Sequence, residues 1–274
     1  MKLFYLPAII LLAVSCTNEI AENTDTGENI LRIGEIDTRS GETSEWVWKT
    51  GDELTVTVNS QTAVYTRTAE GKWTCGNASF TKEAIGIVAT NGVSFTFGQF
   101  KYVEDQTTEK AYRLADYMTG TGSLDVVTIS GSLTHRHTDM VINITEGKGW
   151  NGKFETAMAD AAGLDIPIRY EGGYYTLKAY HQGVTFRTII PPNSVPTGTN
   201  ITLGTLTLGS GSGTPQSLRG KKATITYTNN NSYTMVAGKR LTLTVELDAS
   251  LNLTITGITV KDFTGKDVSD ELKP

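Results

Sequence analysis

The stretch Arg240–Ile255 (RLTLTVELDASLNLTI) decides the fold class of this chain. Every second residue from Leu241 to Leu247 is apolar and the residues between them are polar, so the apolar side chains share one face of an extended strand. After a polar Asp-Ala-Ser turn at 248–250, the same alternation resumes from Leu251 to Ile255. Two alternating runs joined by a short turn predict a β-hairpin.

The same period of two recurs along most of the chain. Glu53–Asn59 (ELTVTVN) is the clearest second example. Further strands are predicted at 63–68, 85–90, 93–100, 125–130, 133–145, 166–170, 174–180, 184–190, 201–207 and 222–228. Many short strands separated by Gly, Asn and Pro turns predict an all-β protein with two β-sandwich domains in tandem. One short helix, over 153–162, is the predicted exception.

The chain divides into four predicted segments. Residues 1–15 are a signal peptide, residues 16–29 a polar tether, residues 30–148 the first β-sandwich domain and residues 149–274 the second. The tether is acidic and almost without large apolar groups, so it cannot bury enough surface to offset its conformational entropy. The domain boundary is predicted within the glycine-rich sequence at 147–152. The glycine-serine run at 209–213 is a second possible boundary, but it is more simply a loop inside the second domain.

The first residues have the pattern of a bacterial lipoprotein leader. Lys2 precedes an apolar run over 3–14, which is shorter than the roughly 20 residues that a membrane span needs. The run ends in Ala-Val-Ser before Cys16, a lipobox-like sequence that predicts cleavage before Cys16 and lipidation of its thiol. The alternative is an ordinary secretory signal. With Cys16 lipidated, Cys75 is the other cysteine of the chain and has no disulfide partner.

Composition narrows the function classes. Of 24 basic residues only Lys2 lies in the leader, which leaves 23 basic against 29 acidic residues in the predicted mature chain. This mild acidity, without a basic stripe, argues against nucleic acid as a partner. The sequence contains no nucleophile elbow, zinc-protease motif, Cys-x-x-Cys pair or phosphate loop, so no enzyme activity, catalytic residue or cofactor is predicted.

Two groups of residues are candidates for binding. His135, His137 and Asp139 alternate along the strand predicted at 133–145, and a His-x-His pair with a third ligand such as His181 can hold zinc. The alternative, which we prefer, is that these are strand residues without a metal. The aromatic residues are candidates for stacking on sugar rings: Trp46, Trp48, Trp73, Trp150, Tyr174 and Tyr175.

Four segments, in their order and spacing, together resemble the fimbrillin family, the type V pilins of gram-negative oral and gut anaerobes. They are Trp46–Val56 (WVWKTGDELTV), Leu133–Ile144 (LTHRHTDMVINI), Thr188–Pro191 (TIIP) and Tyr233–Val245. The resemblance implies two transthyretin-like β-sandwiches and a non-enzymatic fimbrial subunit. It also implies export as a surface-exposed lipoprotein of the cell outer membrane, held by the lipid on Cys16, and incorporation into a fimbrium.

The resemblance further implies maturation by a trypsin-like protease. In this family the protease removes the first strand, and a strand from another fimbrial subunit fills the groove. Here the removable strand is 29–38 (NILRIGEIDT) and the cut follows Arg39; Arg32, inside the strand, is the alternative, and an uncut linker is the third. After Val260 the only large apolar residues are Phe263, Val268 and Leu272, among Asp, Lys and Gly, and such a weak donor strand suits a tip, an anchor or a non-polymerising relative better than a stalk subunit. The rival function is a glycan-binding cell-surface lipoprotein, with a host or bacterial glycan or protein as its partner.

Overall fold

The computed structural model describes residues 30–38, 47–86, 92–192, 201–227 and 235–262. These residues are mainly β-strands, and the all-β prediction is confirmed. The first region contains β1 (Arg32–Thr38), β2 (Glu53–Val58), β3 (Gln61–Arg67), β4 (Trp73–Cys75), α1 (Lys82–Ile85), β5 (Val93–Phe97), α2 (Glu109–Ala115), β6 (Met118–Asp125) and β7 (Thr128–His135). The second contains β8 (Thr138–Glu146), α3 (Phe154–Ala159), β9 (Gly163–Tyr170), β10 (Gly173–Lys178), β11 (Tyr180–Gln182), β12 (Thr185–Ile190), β13 (Ile201–Thr207), a 3₁₀ turn (Gln216–Leu218), β14 (Lys222–Tyr227), β15 (Lys239–Leu247) and β16 (Leu253–Asp262).

The first region is one sheet of seven strands in the order β1-β7-β6-β5-β2-β3-β4. Its strands alternate between buried apolar and exposed polar residues, as the sequence of β2 predicts. The two ends of the sheet approach each other. The Tyr65 hydroxyl of β3, next to the end strand β4, donates a hydrogen bond to the carbonyl of Leu31, just before β1, at 2.8 Å. The sheet therefore curls around a single apolar core.

The second region is a sandwich of two sheets. Four strands, in the order β10-β9-β13-β14, face five strands in the order β11-β12-β8-β15-β16. Met140, Ile142 and Ile144 of β8 point into the core between the sheets, where all three are at most 1% exposed. Trp150 closes one end of this core, and its indole N–H donates to the Leu247 carbonyl at 2.7 Å.

The chain passes from the first region to the second at residues 136–137. The Arg136 N–H donates to the Tyr117 carbonyl in the first region, and the Gly238 N–H of the second donates to the His137 carbonyl. The single strand predicted over 133–145 is therefore wrong, because β7 and β8 belong to different sheets. Since β8 pairs with β12 and β15, we propose a domain boundary at 136–137 in place of the one between 148 and 149.

Candidate functional site

The first strand, β1, forms one end of the seven-stranded sheet and pairs in parallel with β7. Its register is interrupted between Ile33 and Ile36. Gly34 lies at this interruption, where an added Cβ would come within 2.7 Å of the Ser130 hydroxyl oxygen and the Thr128 methyl group. The close approach of β1 to β7 therefore depends on the missing side chain of Gly34.

The side chains of β1 and of the residue before it fill an apolar groove. Leu31 is 1% exposed and Ile36 is 9% exposed, while Ile33 is half-buried. They belong to the same core as Ile129 and Leu133 of β7. Removal of β1 would therefore expose both an apolar groove and the backbone edge of β7, which are the two features that a replacement strand recognises.

The predicted processing sites lie close to this strand in the sequence. Arg39 immediately follows Thr38, the last residue of β1, but it lies outside the described residues, as does Cys16. Arg32 lies within β1, and its backbone N–H donates to the Val127 carbonyl at 2.8 Å. A peptide bond held in a paired strand resists proteolysis, so the structure favours a cut outside β1 over one at Arg32.

The Gly-Asp pair at the start of β2 joins the sheet to α2. Gly51 has a positive φ of 84°, a conformation that favours glycine. The Asp52 carboxylate accepts from the Lys49 N–H at 2.8 Å and from the Arg113 guanidinium of α2 at 2.5 Å. This segment of the family resemblance therefore has a structural role as a turn and an ion pair.

A second group of polar residues lies at the start of β8. Asp139 is fully buried, and its Oδ2 accepts from Arg187 Nη2 at 2.9 Å and from Arg240 Nε at 2.7 Å. The Tyr112 hydroxyl of α2 donates to Asp139 Oδ1 at 2.8 Å, so the cluster connects the two regions. Burial alone would raise the pKa of Asp139, but the two guanidinium groups outweigh it and hold the pKa below its usual value.

The histidines lie apart from this carboxylate and from one another. His135 Nδ1 lies 2.7 Å from Asp116 Oδ2, and His137 Nδ1 donates to the Ala115 carbonyl at 2.9 Å. Burial lowers the pKa of His137. His181 stacks on Phe186 in the five-stranded sheet. In the described ranges, no three His, Cys, Asp or Glu side chains are grouped so that they could hold a metal ion.

The aromatic candidates do not form one platform. Trp73 and Trp150 are buried, and Trp48 packs edge-on against Trp73 with 4.9 Å between ring centroids; Trp46 lies outside the described residues. Tyr174 is 75% exposed, with the Arg169 guanidinium 5.8 Å from its ring centroid. Tyr175 alternates to the other face of β10 and packs on Tyr102.

The last described strand, β16, is an edge strand of the five-stranded sheet. Its inward side chains are only half-buried against the core; they are Leu253, Ile255, Ile258 and Val260. The residues Phe263, Val268 and Leu272, which the sequence offers to a donor strand, lie outside the described part.

Among the described cysteines, Cys75 is a free, half-buried thiol. None of the described helices is long and apolar enough to cross a membrane.

Comparisons with known proteins find similar folds among solved structures. No protein-family model and no curated protein sequence matches the chain. The structure is similar to that of a candidate cell adhesion protein from Bacteroides uniformis, with a TM-score of 0.51 and 16% identity over 86% of this chain and 98% of that chain. A candidate cell adhesion protein from Bacteroides ovatus has a TM-score of 0.56 and 12% identity over 85% of this chain and 97% of that one. At these identities the likeness shows a shared fold.

Proposed function

We propose that this chain is a fimbrial subunit, or a fimbrillin-like surface lipoprotein, that assembles by exchanging β1 for a strand of another subunit. The observation that carries the proposal is the position of β1, an edge strand that fills an apolar groove and ends one residue before Arg39. The sequence resemblance to fimbrillins and the fold shared with candidate cell adhesion proteins support it.

The geometry of β1 suits exchange. Its pairing with β7 is parallel and interrupted, and parallel pairing is slightly less stable per residue than antiparallel pairing. Each backbone hydrogen bond adds only about 0.5–1.5 kcal/mol. An uninterrupted strand from another subunit, with apolar residues at the positions of Leu31 and Ile36, would therefore compete well once the covalent link at Arg39 is cut.

Limited proteolysis tests this function. Full-length chain in mild detergent, treated with trypsin, should lose residues 1–39 and then form oligomers, which mass spectrometry and size-exclusion chromatography can measure. The Arg39→Gln variant should remain uncut at this position and monomeric, whereas Arg32→Gln should be processed normally. If Arg39 resists cleavage in the folded chain, or the cleaved chain stays monomeric, strand exchange is wrong for this protein.

The proposed location is the outer membrane, with the lipid on Cys16 as the attachment and a trypsin-like protease as the processing partner. Labelled fatty acid should be incorporated into the full-length chain in a gram-negative host and should be lost in Cys16→Ala. Incorporation that persists in this variant would contradict lipidation at Cys16. A glycan or protein on another cell surface is the proposed adhesion target.

A further inference from the structure

The outer face of the five-stranded sheet contains a cavity of about 450 Å³. Ligand sites in proteins commonly have volumes of about 300–1,000 Å³. Arg187 of β12 and Arg240 of β15 line the cavity, and β8 lies between their strands. The cavity is on the face of the sheet opposite the apolar core and in a different sheet from β1.

The two arginines are fixed in position by the sheet and by the buried carboxylate of Asp139. Both guanidinium groups bond to Asp139 Oδ2, and their side chains are 22% and 21% exposed. The Arg187 guanidinium also lies 5.2 Å from the centroid of the Tyr112 ring. Because these contacts hold the guanidinium groups before a ligand arrives, less conformational entropy is lost when one binds.

The rest of the lining is mostly amide and hydroxyl groups, from Asn143, Gln182, Thr185 and Thr242. The register places Thr185 opposite Asn143, with 2.8 Å between the Thr185 hydroxyl and the Asn143 amide oxygen. Gln182 is opposite Thr185 on the next strand and is exposed. Such groups both donate and accept hydrogen bonds, which is what sugar hydroxyls require.

We propose that this cavity binds a carboxylated sugar, such as a terminal hexuronic or neuraminic acid of a glycan. Its carboxylate would bond to the guanidinium groups of Arg187 and Arg240, and its hydroxyls to the amides and hydroxyls beside them. Guanidinium and carboxylate form charge-assisted hydrogen bonds, which are stronger than bonds between neutral groups. A neutral sugar would leave the arginines without this interaction.

This site is separate from the aromatic residues that the sequence suggests for glycan binding. It also does not depend on strand exchange, because an uncleaved chain has the same outer sheet face. Failure of the proteolysis experiment would therefore leave this inference intact, and failure of sugar binding would leave strand exchange intact.

Sugar probes that differ only in the group at one carbon test whether the cavity recognises a sugar carboxylate. Titration calorimetry with full-length chain in detergent would compare methyl glucuronide, methyl glucoside and methyl glucoside 6-sulfate, with sodium acetate as a fourth probe. We expect the glucuronide to bind at least about tenfold more tightly than the glucoside, because charge-assisted bonds are worth more than neutral ones. We expect weaker binding of the sulfate and of acetate.

A variant that adds a competing carboxylate tests whether the sugar binds at this cavity. Gln182→Glu changes one exposed residue at the cavity and should weaken glucuronide binding at least about fivefold by charge repulsion and competition for the arginines. Gln216→Glu makes the same change at an exposed residue in the 3₁₀ turn and should bind as the unmodified chain does.

Four results would overturn the inference. They are no measurable binding of the glucuronide, equal binding of the glucoside, equal binding of the sulfate or acetate, and glucuronide binding that Gln182→Glu leaves unchanged. Arg240→Gln adds a direct test, with circular dichroism to establish that the variant is folded. In a folded Arg240→Gln variant, unchanged binding would equally contradict the assignment.

Discussion

Two of the edge strands, β1 and β16, are held in opposite ways. β1 has an interrupted parallel register with β7, yet the side chains of Ile36 within it and of Leu31 just before it are almost completely buried. β16 has a long antiparallel register with β15, from Leu253 to Asp262, yet its inward side chains are only half-buried. The first strand is attached mainly through its apolar side chains, and the last mainly through its backbone.

This difference shows which strand is suited to exchange. A strand that fills a deep groove leaves a specific and strongly apolar site when it departs, and another strand can occupy that site. A strand held mainly by backbone bonds over a half-covered face leaves a less specific one. We therefore infer that the first region accepts the replacement strand, and that the second region stays intact while this happens.

The largest expected effect is at Asp139, whose carboxylate bonds to side chains of both regions. Asp139→Asn should lower the free energy of unfolding by about 3–5 kcal/mol, because two guanidinium groups then lose a buried carboxylate. Urea unfolding would measure the loss. The exposed Asp125→Asn should change stability by less than about 0.5 kcal/mol. Equal effects of the two variants would contradict the structural role of Asp139.

A matched pair of leucines tests whether β1 is held mainly through buried side chains and β16 is not. Leu31→Ala should destabilise the first region by about 2–5 kcal/mol, since it removes a fully buried side chain. Leu253→Ala removes a half-buried side chain of β16 and should cost about 1 kcal/mol. Thermal unfolding of both variants would measure the difference. A Leu253→Ala effect as large as that of Leu31→Ala would mean that β16 is held through its side chains after all.

A matched pair of glycines makes a smaller and finer test. Gly34→Ala should destabilise by about 1–3 kcal/mol, because the new Cβ would lie 2.7 Å from side chains of β7. Gly257→Ala in β16 places its Cβ 3.5 Å from the Thr244 Cβ, which is ordinary contact, and should be nearly neutral. Urea unfolding distinguishes the two. If Gly34→Ala is neutral, β1 is held less closely against β7 than the register indicates.

The smallest expected effect is a dependence on pH at the passage between the regions. Burial lowers the pKa of His137, so its contribution to stability is complete above its unfolded pKa, about 6.5, and is lost as the pH falls through the lower folded pKa. The His137→Asn variant keeps a donor for the Ala115 carbonyl. The drop in the free energy of unfolding from pH 7.5 to pH 5, measured by urea unfolding, should be smaller in this variant than in the unmodified chain. His181→Asn is the control, and an equal reduction there would refute the assignment.

The lowered pKa of Asp139 acts in a different range. Its contribution is complete above the unfolded pKa of about 3.9 and is lost as the pH falls through the lower folded pKa. The two groups can therefore be told apart in one series of unfolding experiments, because His137 acts at mildly acidic pH and Asp139 only in strong acid.

Much of the fold follows from periodicity. The alternation in Glu53–Asn59 and Arg240–Ile255 predicts β2, β15 and the start of β16 within a few residues. The helix predicted at 153–162 is present as α3. By contrast, the strand predicted over 125–130 crosses a tight turn between β6 and β7, where Val126 has a φ of 52° that its residue type does not signal.

Other features do not follow from periodicity. The apolar positions change phase between Leu133 and Met140, where the chain passes from one sheet to the other, but the alternation of Leu133, His135, His137 and Asp139 masks this change. The helix α2 lacks a clear periodic pattern, although its N-cap Thr108, whose hydroxyl accepts from the Ala111 N–H, is a local signal for its start. The arginines that bind Asp139 follow it by 48 and 101 positions, so the sequence alone did not indicate the cluster.

Hydrogen exchange of the protease-treated chain tests the central claim most directly. The measurement would compare intact and cleaved chain by mass spectrometry, at a dilution that keeps both monomeric. After cleavage at Arg39, the amides of Thr128–Leu133 in β7 that face β1 should lose protection, while those that face β6 and those of β15 beside β16 keep theirs. Amides of β7 facing β1 that stay protected after the first 39 residues are removed, or a β15 that opens at the same rate, would contradict the assignment of β1 as the exchangeable strand.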